Sequence, residues 1–138
     1  MKVADALNLL RKKGYKMTDR RERILHFFKK EKKKYKTARD LYDYMEEHYP
    51  GISYDTVYRN LHLYHELGIL ESTELEAERH FRLACSDQHH HHFICKLCGL
   101  AEKINFCPMD YLSPSLGNYT IDDHKFEIYG LCPSCNAN

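Results

Sequence analysis

The feature that most constrains this chain is a pair of Cys-x-x-Cys units, Cys95-Lys96-Leu97-Cys98 and Cys132-Pro133-Ser134-Cys135. A two-residue gap lets both thiolates of one tight turn point at a single ion, and two such turns supply the four sulfurs of a closed tetrahedral zinc site. The 33 residues between them exceed the spacing of a zinc ribbon. The site is therefore expected to staple the two ends of a small domain, with structural Zn2+ held by Cys95, Cys98, Cys132 and Cys135. A competing reading is a thiol redox enzyme working through Cys132 and Cys135. It draws on the Cys-Pro-x-Cys form of the second pair and leaves the first without a role. Paired cysteines of this kind in a cytosolic chain are metal sites more often than disulfides. No apolar run approaches the ~20 residues of a membrane span, and Met1-Lys2-Val3-Ala4-Asp5 lacks the apolar stretch of a secretory signal. A cytoplasmic location is expected.

The chain divides by charge where it divides by chemistry. A net charge of +1 conceals 15 Lys/Arg against 4 Asp/Glu in residues 1 to 39, and 3 against 6 in residues 84 to 138. All the cysteines and all the clustered histidines lie beyond residue 84. A basic part able to approach a polyanion, joined to a part with another task, is the expected organisation. The domains are placed at 1–84 and 85–138, with a hinge at about 84–90.

The first part reads as helices. Ala6, Leu7 and Leu10 form a short apolar stripe ending at Gly14. Thr18 can cap a helix to about Lys30, with Ile24, Leu25, Phe27 and Phe28 on its buried face. The lysine-dense segment Glu31 to Lys36 reads as a solvated loop. Thr37 can cap a third helix ending near Tyr49, before Pro50-Gly51. Ser53 can cap a fourth, Tyr54 to Leu67, stopped by Gly68. Ile69 to Thr73 and Arg79 to Ala84 then read as a hairpin around the polar Glu74 to Glu78. Helices followed by a hairpin is the order of a winged helix-turn-helix. Beyond Cys85, strands are expected at Phe93-Ile94, Glu102 to Ile104 and Thr120 to Tyr129, with a short helix over Met109 to Leu116. The fold class is α+β, a winged helix-turn-helix domain followed by a small α/β domain carrying the four-cysteine zinc site.

The run His89-His90-His91-His92 continues into the strand Phe93-Ile94-Cys95, so its side chains alternate. His90 and His92 then share one face, and His89 and His91 the other. Cys85, just upstream, is spare once four cysteines are assigned. A thiolate with two imidazoles favours a borderline-soft ion such as zinc over magnesium or manganese. Cys107, with no cysteine near it in sequence, is expected to be a buried small hydrophobe.

The order of Asp55-Thr56-Val57-Tyr58-Arg59-Asn60-Leu61 on a winged helix, a His-x-His-x-x-Cys-x-x-Cys-Gly run ending at Gly99, and a distal Cys-x-x-Cys resembles the ferric uptake regulator superfamily of bacterial metal-dependent repressors. The resemblance covers nearly the whole chain. It implies a DNA-binding domain, a dimerisation domain and a regulatory metal at the hinge. Where the iron and peroxide sensors have a ligand histidine before a Thr-Ala pair, this chain has Tyr35. Where they draw a carboxylate from the strand before the histidine run, it has Phe81-Arg82-Leu83. The zinc uptake regulator branch is most similar, and its hinge set maps position by position onto Glu71, Cys85, His90 and His92. A further family site maps onto His89, His91, Asp110 and His124, although Asp110 and His124 also suit ordinary surface roles.

At 3.6 residues per turn, Tyr54, Val57, Leu61 and Tyr64 share the core face of the fourth helix. Asp55, Arg59, His62 and Glu66 then point outward, with Tyr58 on the flank. In a helix-turn-helix the second helix enters the major groove, where an arginine can grip guanine bidentately, and Arg59 takes that role. Asp55 either orients Arg59, accepts from cytosine, or forms a plain helix pair. Ser53, Thr56 and Tyr58 complete the face, while Tyr15, Lys16, Arg20 and Arg21 are placed on phosphates. The expected function is a zinc-responsive, homodimeric repressor of zinc homeostasis genes, not an enzyme, with operator DNA and zinc as partners. Nickel- or iron-responsive repression is the alternative within the family.

Overall fold

A computed structural model describes residues 1–85, 90–112 and 114–137. The chain forms two compact units, Met1–Asp87 and Gln88–Asn138. The first contains helices α1 (Val3–Lys12), α2 (Asp19–Lys30), α3 (Ala38–His48) and α4 (Tyr54–Glu66). Its strands are β1 (Lys36–Thr37), β2 (Leu70–Leu75) and β3 (Glu78–Leu83), ordered β1-β3-β2 and antiparallel.

The helix starts follow from local chemistry. Thr18 Oγ1 accepts from the Arg21 amide at 3.2 Å, and Ser53 Oγ from the Thr56 amide at 3.0 Å. Thr37 and Asp40 form a reciprocal box, each side chain accepting from the other's amide at 3.0 Å. Such a cap contributes about 1 kcal/mol. Amphipathic spacing does the rest: Leu10, Leu25, Phe28, Leu41, Met45, Val57, Leu61 and Tyr64 are buried together with Ile69, Phe81 and Leu83 of the hairpin side. Each such side chain contributes roughly 1.5–3 kcal/mol by leaving water. Tyr64 donates to the Arg21 carbonyl at 3.0 Å, tying α4 to α2, and burial pushes its phenol well above the usual range.

Three expectations are corrected in this unit. Tyr54 is 44% exposed instead of core, because the first residue of α4 lies beyond the packed stripe, against the Tyr42 ring. The Glu31 to Lys36 segment is not all solvated loop: Tyr35 is buried and Lys36 pairs with Phe81. The hairpin loop is shorter than Glu74 to Glu78, since Leu75 already pairs with Glu78 and the turn is Glu76-Ala77, both at positive φ.

In the second unit β4 (His91–Cys95) is central, antiparallel to β5 (Ala101–Ile104) and parallel to β6 (Glu127–Gly130). Helices α5 (Met109–Leu112) and α6 (Pro133–Asn136) are single turns. The expected helix over Met109 to Leu116 thus stops at Leu112, and the strand expected over Thr120 to Tyr129 pairs only from Glu127. The strand boundary is set by where a partner strand exists, not by local preference. At Gly130 a Cβ would meet the Phe93 ring at 3.2 Å, so a larger residue there makes that ring give way by a few tenths of an ångström. Among the described residues, the buried apolar set of this unit is only Ile94, Cys95 and Cys132.

Candidate metal centres and nucleic-acid face

The parallel pairing of β4 with β6 assembles the four cysteines. Cys95 ends β4 opposite Gly130, and Cys132 follows two residues later, so both Cys-x-x-Cys turns emerge from one end of the sheet. Gly99, at φ 80, folds the first turn back so that its amide reaches the Cys95 carbonyl at 3.0 Å. The Asn136 amide reaches the Cys132 carbonyl at 2.9 Å in the second. The four sulfurs lie within 4.8 Å of one another. Cys98 and Cys132 sulfurs are 3.8 Å apart, far beyond a disulfide bond. That separation matches the tetrahedral edge of about 3.8 Å that zinc–sulfur bonds of about 2.3 Å generate. The donor set therefore fits a zinc ion. Burial pushes the Cys95 thiol up, but amide donation from Cys98, Cys132 and Leu97 outweighs it and brings the thiol down to about 6. Cys135 goes the other way, to about 12, because it shares a proton with Cys132 and is partly desolvated beside the other thiols. Four sulfurs so close ionise together only when a cation neutralises them.

The expected regulatory residues are arranged in two halves, one in each unit. In the first unit, Glu71 of β2 is a point of convergence: its Oε1 lies 3.8 Å from Cys85 Sγ, 3.5 Å from the Tyr35 hydroxyl and 3.5 Å from Arg82. Tyr35 and Arg82, whose guanidinium also lies over the Tyr35 ring, were missed as partners of Glu71 by sequence reasoning. Their contacts arise from strand pairing and leave no spacing signature. In the second unit the rings of His90 and His92 are 4.9 Å apart on one face of β4.

On the opposite face, His91 is buried against Phe126 and meets His124, their Nε2 atoms 3.3 Å apart. Cys107 Sγ is 3.5 Å from His124 Nε2. Cys107 is thus half-buried beside an imidazole and not the buried small hydrophobe expected of it. Asp110 is exposed and lines the adjoining cleft with Cys107 and His124, outside the ligand-distance group. His89 lies outside the described residues.

The face expected to meet DNA presents Arg59 and Asp55, paired at 3.1 Å with side chains 74% and 77% exposed, beside a half-exposed Tyr58. Ser53 and Thr56 hydroxyls bond each other at 2.7 Å at the start of α4. Arg21 stacks over Tyr15 and donates to the Lys16 carbonyl at 2.5 Å, while Arg20 stacks over Tyr49.

A family model described as the ferric uptake regulator family matches residues 12–129. The chain belongs to the ferric uptake regulator family. It is 51% identical over 138 residues to a Staphylococcus epidermidis ferric uptake regulation protein, covering 100% of this chain and 99% of that one. The ferric uptake regulator of Francisella tularensis, solved with iron, superposes with a TM-score of 0.71 at 26% identity, covering 89% of this chain and 96% of that one. A zinc uptake regulator complexed with zinc and DNA gives 0.67 at 25% identity, covering 98% and 93%. As a ferric uptake regulator family member the chain is a metal-responsive, DNA-binding transcriptional repressor and not an enzyme, which removes the dithiol redox reading of Cys132 and Cys135. Among the described residues, no helix is long and apolar enough to cross a membrane.

Proposed function

We propose that this repressor senses zinc, acting in the cytoplasm as a homodimer on operators of zinc uptake and homeostasis genes. The observation that carries the reading is Cys85: its sulfur sits against the carboxylate of Glu71 in the first unit, and the His90–His92 pair in the second unit adds two imidazoles. A thiolate, two imidazoles and one carboxylate form a borderline-soft set of four, which suits tetrahedral zinc better than hard, six-coordinate cations. Bound there, the metal supplies a crosslink between residues of the two units. Glu71 and Cys85 then hold the recognition helix's own unit in a fixed relation to His90 and His92. A metal held by Glu71, Cys85, His90 and His92 would favour the dimer whose two copies of Arg59 face successive major grooves. Tyr15, Lys16, Arg20 and Arg21 neutralise phosphates, and Ser53, Asp55, Thr56 and Tyr58 frame the base edges. The structural ion belongs to Cys95, Cys98, Cys132 and Cys135. Exposed Ile128, Tyr129 and Leu131 on and beside β6 supply apolar surface for a second copy.

Iron sensing is the second reading, favoured by the name of the 51% identical relative. Titrating chelator-treated protein with Zn, Fe(II), Mn or Ni while following operator binding separates the two. Zinc is expected to act at the lowest free concentration, and to lose effect as pH falls through about 6.5, where protons compete for the imidazoles. Cys85→Ser and His92→Ala are expected to keep one zinc per chain and the dimer, yet lose the zinc response. Activation by Fe(II) at lower free concentration than zinc, or a normal zinc response in Cys85→Ser, overturns the reading.

A further inference from the structure

We infer that Arg82 is a built-in competitor of the sensed metal: its guanidinium holds the Glu71 carboxylate, the ion has to take that carboxylate from it, and this sets how much free metal the repressor needs. The inference rests on the assignment of Glu71 and Cys85 to the sensing site. Its residues all belong to the first unit. Glu71 and Arg82 stand directly opposite each other in the β2–β3 ladder. Arg82 Nη1 lies 3.5 Å from Glu71 Oε1, and the arginine side chain is only 12% exposed. Its Nη2 donates to the Lys32 carbonyl at 3.1 Å, across 50 residues of sequence. The guanidinium also lies 5.6 Å over the ring of the buried Tyr35. A backbone carbonyl and a ring face thus fix the fork independently of Glu71. The same Oε1 receives the Tyr35 hydroxyl at 3.5 Å and the Cys85 thiol at 3.8 Å. The oxygen that lies against Cys85 is therefore the one that Arg82 occupies.

Competition follows from distance and charge. An ion bound to that oxygen at about 2.0–2.2 Å lies within about 6 Å of an Arg82 nitrogen left where it is. A dication so close to a guanidinium, in so sheltered a place, is repelled, and salt screens the repulsion weakly. Arginine stays charged at any working pH, so Arg82 cannot yield by losing a proton. It has to swing off the carboxylate or lower the ion's affinity. Tyr35 and Cys85 impose no such cost, because a neutral hydroxyl can turn away and a thiol gives its proton up on ligation. The other reading of the same contacts is a cross-strand pair that only stabilises the hairpin. It makes metal affinity indifferent to the charge at position 82.

The test uses the full chain with its four-cysteine zinc retained, and reads hinge zinc affinity by competition with a chromophoric chelator, without DNA. Arg82→Gln is expected to bind hinge zinc about ten-fold or more tightly than the unmutated chain. Arg82→Lys, which keeps the charge, is expected to stay within about three-fold of it. A second readout needs no variant to fold. In unmutated protein, rotation of the Arg82 guanidinium, followed by nitrogen-15 NMR, is expected to quicken about ten-fold when zinc fills the hinge and the fork leaves Glu71. Unchanged or weaker zinc binding in Arg82→Gln, equal tightening in Arg82→Lys, or a guanidinium indifferent to zinc each overturns the inference. If Fe(II) and not zinc proves to be the sensed ion, the zinc reading fails, yet the same shifts are expected with Fe(II), because any dication meets the same guanidinium.

Discussion

Two arginines in the N-terminal unit differ in what holds them, and that difference predicts how their loss is felt. Arg59 is tethered by Asp55, one turn away and as exposed as itself. Such a surface pair contributes roughly 0.3–0.5 kcal/mol, little enough for Asp55 to release Arg59 to a guanine. Arg21 is fixed between the Tyr15 ring and the Lys16 carbonyl, a posture suited to a phosphate. At saturating zinc, Arg59→Ala is expected to weaken cognate-operator binding by roughly 1–3 kcal/mol while sparing random DNA. Arg21→Ala is expected to weaken every sequence and lower the slope of log affinity against log salt by about one per monomer. Equal losses on operator and random DNA for Arg59→Ala would remove it from the base edges. The outward position of Arg59 was legible because helical period alone sets it. The environment of Cys107 was not, because His124 is 17 residues away across irregular chain and no periodicity relates them.

At the level of elements, the starts of α2, α3 and α4 were readable since Thr18, Thr37 and Ser53 act on amides within three residues. Strands β1 and β6 were missed or misjudged because each exists only through a distant partner. The hairpin shows the same limit from another side. Its two-residue turn uses Glu76 and Ala77 at φ 52 and 65, where glycine or asparagine would have advertised it. Side chains there are strained, and the flanking β2–β3 ladder and its buried residues offset the cost. Replacing Glu76-Ala77 by Asn-Gly is accordingly expected to stabilise the first unit by about 1 kcal/mol, read as a higher denaturant midpoint with unchanged m-value. A lower midpoint would show that the ladder does not close on this turn.

For the molecule as a whole, the two units rest on different kinds of interior. The first has a contiguous apolar core; the second has, among its described residues, Ile94 and two of its own metal-site cysteines. In so small an interior, metal binding energy is folding energy. Cys95→Ser or Cys132→Ser is therefore expected to release zinc and unfold the second unit, while the first keeps its helices and its amide protection. Undiminished zinc content in a fully folded variant would contradict this. The Cys-x-x-Cys pairs made that dependence visible in the sequence, whereas the strand order that brings them together was not visible, because parallel pairing of β4 with β6 leaves no local mark. That pairing also dictates a timetable during synthesis. The first unit has every residue of its core once Leu83 has left the ribosome, but β4 waits with one edge open until β6, and then Cys132 and Cys135, emerge. At about 5–20 residues per second, the nascent chain spends seconds with a finished reading head and an unfinished clasp, so metal is acquired last, after the part that reads DNA can already fold.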